Sequence, residues 1–180
     1  GLIGTTQKMK NNAARLRSAA FQFELSHRLI NMYSTKEDTV VDPFLGTGTT
    51  MSAAMATGRN SIGFEIESDF RDKIFSTMDT VIDTSNERIH HRIQDHLEFV
   101  QKRSEEKGNL KYINTHYKFP VMTRQEVELF FNPLENIEKI DEKTMAVTYS
   151  DVPPETFEGN WKALAPSRAK KTKAGQLQLF

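Results

Sequence analysis

A glycine-rich loop after a short apolar strand is the segment of this 180-residue chain best suited to bind a small molecule. Val40 and Val41 predict the strand, Asp42 ends it, and Gly46 and Gly48 form a turn into a helix. In such a unit, backbone amides and the helix N-terminus face the crevice at the carboxyl end of the strand. Glycine also adopts backbone conformations closed to other residues and lets a ligand approach the main chain.

A second strand, predicted over residues 60–66, ends in carboxylates. Glu65 lies at its tip, where an acidic side chain accepts hydrogen bonds from both hydroxyls of a ribose. Asp69 and Asp72 are better explained as acids that favour the start of the next helix. The two strands together therefore indicate a small-molecule site with a carboxylate where a ribose is usually held, although a tight turn without any ligand would also explain the two glycines alone.

Two common nucleotide-binding patterns do not fit this loop. A P-loop needs lysine after its last glycine, but Thr49 follows Gly48. The dinucleotide fingerprint needs a third glycine, and Met51 occupies that position. The loop therefore lacks the residues that would hold a phosphate chain in either way.

The longer string D-P-F-L-G-T-G-T-T at 42–50, followed by G-R-N-S-I-G-F-E-I at 58–66, resembles the cofactor loop of the amino-group DNA methyltransferases. These enzymes methylate the exocyclic amine of adenine or cytosine. The resemblance implies S-adenosylmethionine as cofactor, DNA as substrate and a restriction-modification role. It also implies a cofactor site made of residues from the two strings: Asp42, Phe44, Gly46, Gly48, Thr49, Thr50 and Glu65.

In the beta-order subclass of this family, a phenylalanine-containing segment precedes the cofactor loop and lies over the methionine end of the ligand. The string A-F-Q-F-E-L resembles that segment and adds Phe21 and Phe23 to the implied cofactor site, although the usual prolines are missing. The alternative interpretation is two core aromatics that begin an amphipathic helix. Phe21, Leu25, Leu29 and Met32 form its apolar stripe at helical spacing.

The catalytic loop of this family, an Asp, Asn or Ser followed by Pro-Pro and an aromatic residue, is not found in the sequence. The nearest strings, at 132–135 and 151–155, are interpreted as ordinary turns. The beta order would place the loop before residue 1, and two parallel strands are too few for a stable sheet. We therefore expect the cofactor-binding half of a split or truncated methyltransferase, with no catalytic residue of its own. A non-catalytic regulatory or partner module derived from such an enzyme is the alternative.

The expected fold class is α/β, as part of a Rossmann-like methyltransferase sheet with helices on both faces. A small α+β extension with a hairpin, over 135–140 and 144–149, should follow it. Four segments are predicted: a lead-in at 1–20, the S-adenosylmethionine-binding part at 21–108, the extension at 109–150 and a flexible basic tail at 151–180.

Periodicity predicts one long helix from residue 84 to a stop at Gly108, with Ile93 and Leu97 on its buried face. A capping box at Thr123 and Glu126 predicts the start of a short helix.

The composition narrows the function further. The sequence has no cysteine, which excludes disulfides and thiolate zinc sites. His91 and Asp95 are spaced as a ligand pair but lack an evident third ligand, so no metal site is predicted. Without an apolar run of about 20 residues the chain should not cross a membrane, and a cytoplasmic protein is expected. Lys and Arg number 24, as do Asp and Glu, so no basic excess marks a self-sufficient DNA binder.

The last five residues, Q-L-Q-L-F, resemble the short peptide by which bacterial DNA-processing enzymes dock on the replication sliding clamp. The resemblance implies that Leu179 and Phe180 fill an apolar pocket of the clamp, with Gln176 and Leu177 beside them. The alternative is a tail that packs on its own domain or stays disordered.

Overall fold

The computed structural model describes residues 21–157 of the chain, which divide into two compact units. The described part of the first unit comprises residues 21–85 and 134–149, and that of the second comprises 86–133 and 150–157. The predicted lead-in at 1–20 and the terminal peptide at 176–180 lie outside the described residues. No helix in the described stretch is both long enough and apolar enough to cross a membrane.

Helices and strands alternate through the first half of the chain. The helices are α1 (Phe23–Tyr33), α2 (Thr49–Ala56), α3 (Arg71–Met78) and α4 (Val81–Lys107). The strands are β1 (Thr39–Asp42), β2 (Asn60–Gly63), β3 (Tyr112–Ile113), β4 (Pro120–Val121), β5 (Leu134–Lys139) and β6 (Met145–Tyr149). The boundary between the two units falls within α4, after its first five residues.

Strands β1 and β2 pair in parallel, from Thr39 opposite Asn60 to Asp42 opposite Gly63. A parallel pair needs a crossover connection, and α2 supplies it. The first unit therefore has the mixed α/β character that the sequence predicts. Helix α2 suits its position because Ala53 and Ala54 are fully buried in a cluster with Phe23, Ile30 and Val40.

Helix α1 forms where predicted, but its apolar stripe points outward. The buried residues are Ser26 and Ile30, because the helix packs on α2 through that side. The four stripe residues are between 41% and 70% exposed: Phe21, Leu25, Leu29 and Met32. The face that the sequence marks as apolar is thus a surface of the first unit.

Arg59, directly before β2, connects the ends of α1, α2 and β2. Its guanidinium donates from Nε to Ser34 Oγ at 3.1 Å, from a second nitrogen to Ser34 O at 2.7 Å, and also to Thr57 O. Partial burial lowers the pKa of Arg59, and the charge of Asp38 opposes that shift. These contacts fix the edge of the first unit at the opposite end of β2 from Glu65.

The β5–β6 pair packs in the first unit although it lies far along the chain. The two strands are antiparallel, with Leu134 opposite Tyr149, and correspond closely to the predicted strands at 135–140 and 144–149. Their apolar side chains join Met55 and Met78 in one cluster. Tyr149 donates its hydroxyl to Met55 O at 2.7 Å, and burial raises the pKa of Tyr149 above its ordinary value of 10.0.

Helix α4 begins at Val81, three residues before the predicted start. Thr84, expected near the N-terminus, instead donates its hydroxyl back to Thr80 O at 2.7 Å. Val81 is buried in the cluster around Met55 and Met78, so tertiary packing extends the helix toward its N-terminus. Its far end is as predicted, because Gly108 adopts φ +81° and donates its N–H to Ser104 O.

The core of the second unit is aromatic. Ile93 and Leu97 of α4 are buried with Tyr117, Phe119 and Phe157. The rings of Tyr117 and Phe119 stack at 5.2 Å with an interplanar angle of 3°. The small β3–β4 pair, which the sequence did not predict, brings this loop-rich segment back onto the helix.

The predicted capping box forms at Thr123 and Glu126 but closes only a 3-10 turn over Arg124–Glu126. The residues that follow do not continue a helix. Phe131 donates its N–H to the Tyr117 hydroxyl at 3.1 Å, and that hydroxyl donates to Phe131 O at 3.2 Å. The local signal for a helix start is therefore correct, and packing of the aromatic core ends the helix after one turn.

Candidate functional site

The glycine loop runs alongside the segment that follows β2, because the ladder of backbone hydrogen bonds continues past the two strands. Phe64 donates its N–H to Asp42 O at 2.9 Å, and Leu45 donates its N–H to Phe64 O at 2.9 Å. The Asp42 carboxylate accepts the Phe44 N–H at 2.9 Å, which closes the first turn of the loop. The carboxyl ends of both strands thus meet at one edge.

The two glycines of the loop have positive φ angles, as the sequence led us to expect. Gly46 adopts +55° and Gly48 adopts +83°, in the left-handed region that favours glycine. Gly48 is the N-cap residue of α2, and its carbonyl accepts both the N–H and the hydroxyl of Ser52 at 3.0 Å. Thr49 and Thr50 form the first turn of this helix and are half-buried.

Glu65 connects the second string to the first. Its carboxylate accepts the Gly46 N–H at Oε2, at 2.8 Å, and the Glu67 N–H at Oε1, at 2.9 Å. The side chain is half-buried, and each carboxylate oxygen accepts one main-chain N–H. The tertiary structure thereby brings Glu65 to Gly46, 19 residues earlier in the sequence, at the edge of the sheet where Asp42 ends β1.

The three aromatic residues implied in the site differ in their surroundings. Phe44 is 86% exposed, so its ring is accessible at the loop. Phe23 packs in the cluster between α1 and α2 and stacks on His27 with 5.6 Å between ring centroids. Phe21 precedes α1 and is 46% exposed, which does not fit a buried core aromatic. The place of Phe21 and Phe23 over a ligand stays a prediction.

A cavity of about 1070 Å³ lies beside β2 in the first unit, between α2, α3 and β6. Glu65 is the one predicted site residue that lines it within the described part of the chain. Residues 46–50 do not line this cavity, and Thr47 and Gly48 are buried. The other cavity-lining residues include Ile62, Arg71, Ile74, Met145 and Tyr149.

Leu45 is a loop residue whose role sequence reasoning missed. It is 9% exposed, and its side chain fills the space left by the missing Cβ of Gly63 on β2. The signal was present in the sequence, since Leu45 is an aliphatic residue directly before Gly46 and Gly63 lies within a strand. A glycine inside a strand often marks a close approach of another group.

We expect Gly63→Ala to destabilise the first unit by about 1–3 kcal/mol, the usual cost of overpacking. The new methyl carbon would lie 2.6 Å from Leu45 Cδ2 and 2.7 Å from Cδ1. Because the Leu45 N–H is bonded to Phe64 O, its backbone is held in place and the Leu45 side chain must leave its packed position to relieve the clash. Urea denaturation followed by circular dichroism measures the cost.

A double-mutant cycle with Leu45→Ala isolates this contact. In the Leu45→Ala background the added methyl group enters space that the leucine has vacated, so Gly63→Ala should cost much less there. Equal costs in both backgrounds would show that Leu45 does not make the contact that we describe.

Comparison with known proteins gives a family match that includes the residues of this site. Residues 3–76 match the family profile described as DNA methylase. The Type II methyltransferase M.MthZI of Methanothermobacter thermautotrophicus is 44% identical over 153 residues, which is 85% of this chain and 42% of that protein. M.MjaI of Methanocaldococcus jannaschii is 59% identical over 51 residues, 28% of this chain and 17% of that protein.

Among solved structures, the DNA modification methylase TTHA0409 of Thermus thermophilus, complexed with S-adenosyl-L-methionine, is 38% identical. The match covers 34% of this chain and 26% of that chain, with a TM-score of 0.33. The family profile and the curated relatives agree with the resemblance of the two strings. These matches support the amino-group DNA methyltransferase family for this chain, which spans 42% of the length of M.MthZI.

Proposed function

We propose that this chain supplies the S-adenosylmethionine-binding part of a DNA methyltransferase of the restriction-modification type, acting on the exocyclic amine of adenine or cytosine. The observation that carries the proposal is the contact of the Glu65 carboxylate with the Gly46 N–H at 2.8 Å. It brings a sugar-binding carboxylate and a glycine loop together at the carboxyl ends of two parallel strands. Ligands of α/β sheets bind at such an edge.

Each residue of the loop has a role that suits its position. The hydroxyls of Thr49 and Thr50 are donors for the amino-acid end of the cofactor. Gly46 and Gly48 contribute the shape of the loop that the ligand approaches, because their N–H groups already donate to Glu65 Oε2 and to Leu45 O. The Asp42 carboxylate attracts the ammonium group, although it also closes the turn by accepting the Phe44 N–H.

Three aromatic residues complete the proposed cofactor site. The exposed Phe44 ring packs on the ligand, and Phe21 and Phe23 contribute from the segment before the loop. These assignments rest on the family pattern and on the positions described above.

When bound, S-adenosylmethionine would supply the methyl group, which would pass from its sulfonium sulfur to the target amine as the carbon–sulfur bond breaks and the carbon–nitrogen bond forms. The amine proton would be removed by the complementary half that carries the catalytic loop. Because the amine is out of reach inside a duplex, the base must first be swung out of the helix. This chain's contribution is to hold the methyl donor in the correct orientation.

The catalytic loop must come from a complementary polypeptide segment, because residues 1–180 do not contain its sequence. Surfaces of the first unit support such a partner. Val41 and Ile62 are more than half exposed on the sheet face turned away from α1 and α2, and the α1 stripe is exposed as well. Parallel sheets are normally covered on both faces, so these apolar surfaces are suited to be covered by the complementary half.

Two measurements test this proposal. Calorimetric titration of the chain with S-adenosylmethionine, alone and with a complementary half carrying the Pro-Pro-aromatic loop, should show binding. The reconstituted pair should then transfer labelled methyl groups to DNA. Absence of cofactor binding in both samples would refute the proposal.

The second candidate is a non-catalytic partner module derived from this family. The missing catalytic string favours it. This second candidate would be supported if the chain bound the cofactor, or a methyltransferase, while every reconstituted pair failed to methylate DNA.

We also propose that the S-adenosylmethionine-binding part extends over 21–108, followed by the small extension at 109–150 and the tail at 151–180. The terminal peptide, with Gln176, Leu177, Leu179 and Phe180, is proposed to dock on the replication sliding clamp. Replacement of Leu179 and Phe180 by alanine should abolish binding of a purified clamp, measured by fluorescence anisotropy. Unchanged binding would exclude this mode of docking.

A further inference from the structure

We propose that Glu65 has a second task as a positioning residue that holds the glycine loop through the Gly46 amide. That Glu65 binds the sugar rests on the proposed function. That Glu65 holds the loop rests on contacts seen in the ligand-free chain. One carboxylate would then set the distance between the ribose and the glycine loop, which leads to the proposed donors of Thr49 and Thr50 for the other end of the cofactor.

The loop is fastened to the end of β2 at two successive amides. The Leu45 N–H donates to a main-chain acceptor, Phe64 O, and this bond does not depend on any side chain. The Gly46 N–H donates to Glu65 Oε2, so the second fastening point depends on the identity of residue 65. It fixes the peptide group that enters Gly46, where the backbone turns to φ +55°.

The carboxylate has room for both tasks. An ionised carboxylate offers about four acceptor positions, two on each oxygen. Oε2 uses one for the Gly46 N–H and Oε1 uses one for the Glu67 N–H. One position on each oxygen therefore remains, which matches the two hydroxyl donors of a ribose. Sugar binding does not require the loop contact to break.

The loop contact is tested in the ligand-free chain by amide hydrogen exchange. Glu65→Ala removes the acceptor, and we expect the Gly46 amide to exchange about tenfold to a hundredfold faster, as for loss of a hydrogen bond to a charged group. Glu65→Gln keeps one oxygen acceptor and should restore protection at one of the two amides, at 46 or at 67.

Glu67→Ala is the matched control. It removes the same charge two residues away, but it keeps the Glu65 side chain and its own main-chain N–H. Exchange at Gly46 should then stay within about twofold of the wild type. Amides of β1 and β2 report whether each variant keeps its fold. Unchanged Gly46 exchange in Glu65→Ala, with the strands protected, would overturn the inference.

Cofactor binding distinguishes a positioning role from sugar recognition alone. The probes are S-adenosylmethionine and its 2′,3′-dideoxy analogue, which lacks both hydroxyls. If Glu65 only binds the sugar, Glu65→Ala should bind the analogue as the wild type does. If it also positions the loop, affinity for the analogue should fall about tenfold or more.

The two possible failures are distinguishable. A wild-type chain, reconstituted with its complementary half, that binds neither probe contradicts the proposed function, and the exchange experiment still decides the loop contact. Equal affinity of Glu65→Ala and wild type for the dideoxy analogue contradicts the positioning role, and it leaves the sugar-binding role in place.

Discussion

Gly48→Val should destabilise the first unit by about 2–5 kcal/mol and weaken S-adenosylmethionine binding by about a hundredfold or more. Two costs add at this position. Gly48 has φ +83°, a conformation that is strained for a β-branched residue, and a Cβ there would lie 3.0 Å from Met78 Cε and 3.4 Å from Ile74 Cγ2. The strain falls on the N-cap of α2, where the proposed cofactor loop enters the helix.

Gly108→Val is the matched control for this prediction. Gly108 has nearly the same backbone angle, φ +81°, but a Cβ there meets no heavy atom within 4 Å. It therefore measures the backbone cost alone, about 1–2 kcal/mol, and the difference between the two variants measures packing against Met78 and Ile74. Urea unfolding and calorimetric titration provide the two readouts. A Gly48→Val chain as stable as Gly108→Val would contradict the packing that we describe.

Leu97→Ala should destabilise the second unit by about 2–5 kcal/mol, the range for truncation of a fully buried leucine. Leu97 is 0% exposed and lies among Ile93, Tyr117, Phe119 and Phe157. These aromatic rings are rigid, so they are poorly able to close the cavity that the substitution leaves. The cost should therefore lie in the upper part of the range.

The control for Leu97→Ala is Phe99→Ala, because both residues lie on α4 but Phe99 is 50% exposed. It should cost much less, since its ring already contacts solvent. Amide exchange at Tyr117 and Phe119 locates the effect of Leu97→Ala in the second unit. Equal destabilisation by the two variants would show that the aromatic core does not depend on Leu97.

The strand, loop and helix around the proposed site were predictable because their signals are local. Valine at 40 and 41 predicted the strand that is β1, which ends at Asp42, and glycine at 46 and 48 predicted the turn that leads into α2 at Thr49. The strand, the turn and the helix are each determined by the backbone preference or the side-chain size of single residues. The family resemblance depends on the same short strings, so it was confirmed without knowledge of the tertiary structure.

Which surfaces of the chain pack against each other was not predictable from the same local signals. The apolar stripe of α1 indicated a helix correctly, but the helix packs through Ser26 and Ile30 and leaves the stripe exposed. The capping box at Thr123 and Glu126 formed, yet the aromatic core ended the helix after one turn. A local pattern indicates which residues can be buried, but it does not indicate which surface of the folded chain packs against them.

The sequence by itself determined that this chain carries a glycine loop and a following acidic strand of the amino-group DNA methyltransferase family. Only the tertiary structure decided that the Glu65 carboxylate holds the Gly46 amide, 19 residues away, and that Tyr149 bonds to Met55 O across 94 residues. The reason is physical. Such contacts depend on the path of the whole chain and on which apolar surfaces pack, and no residue's own preference encodes them.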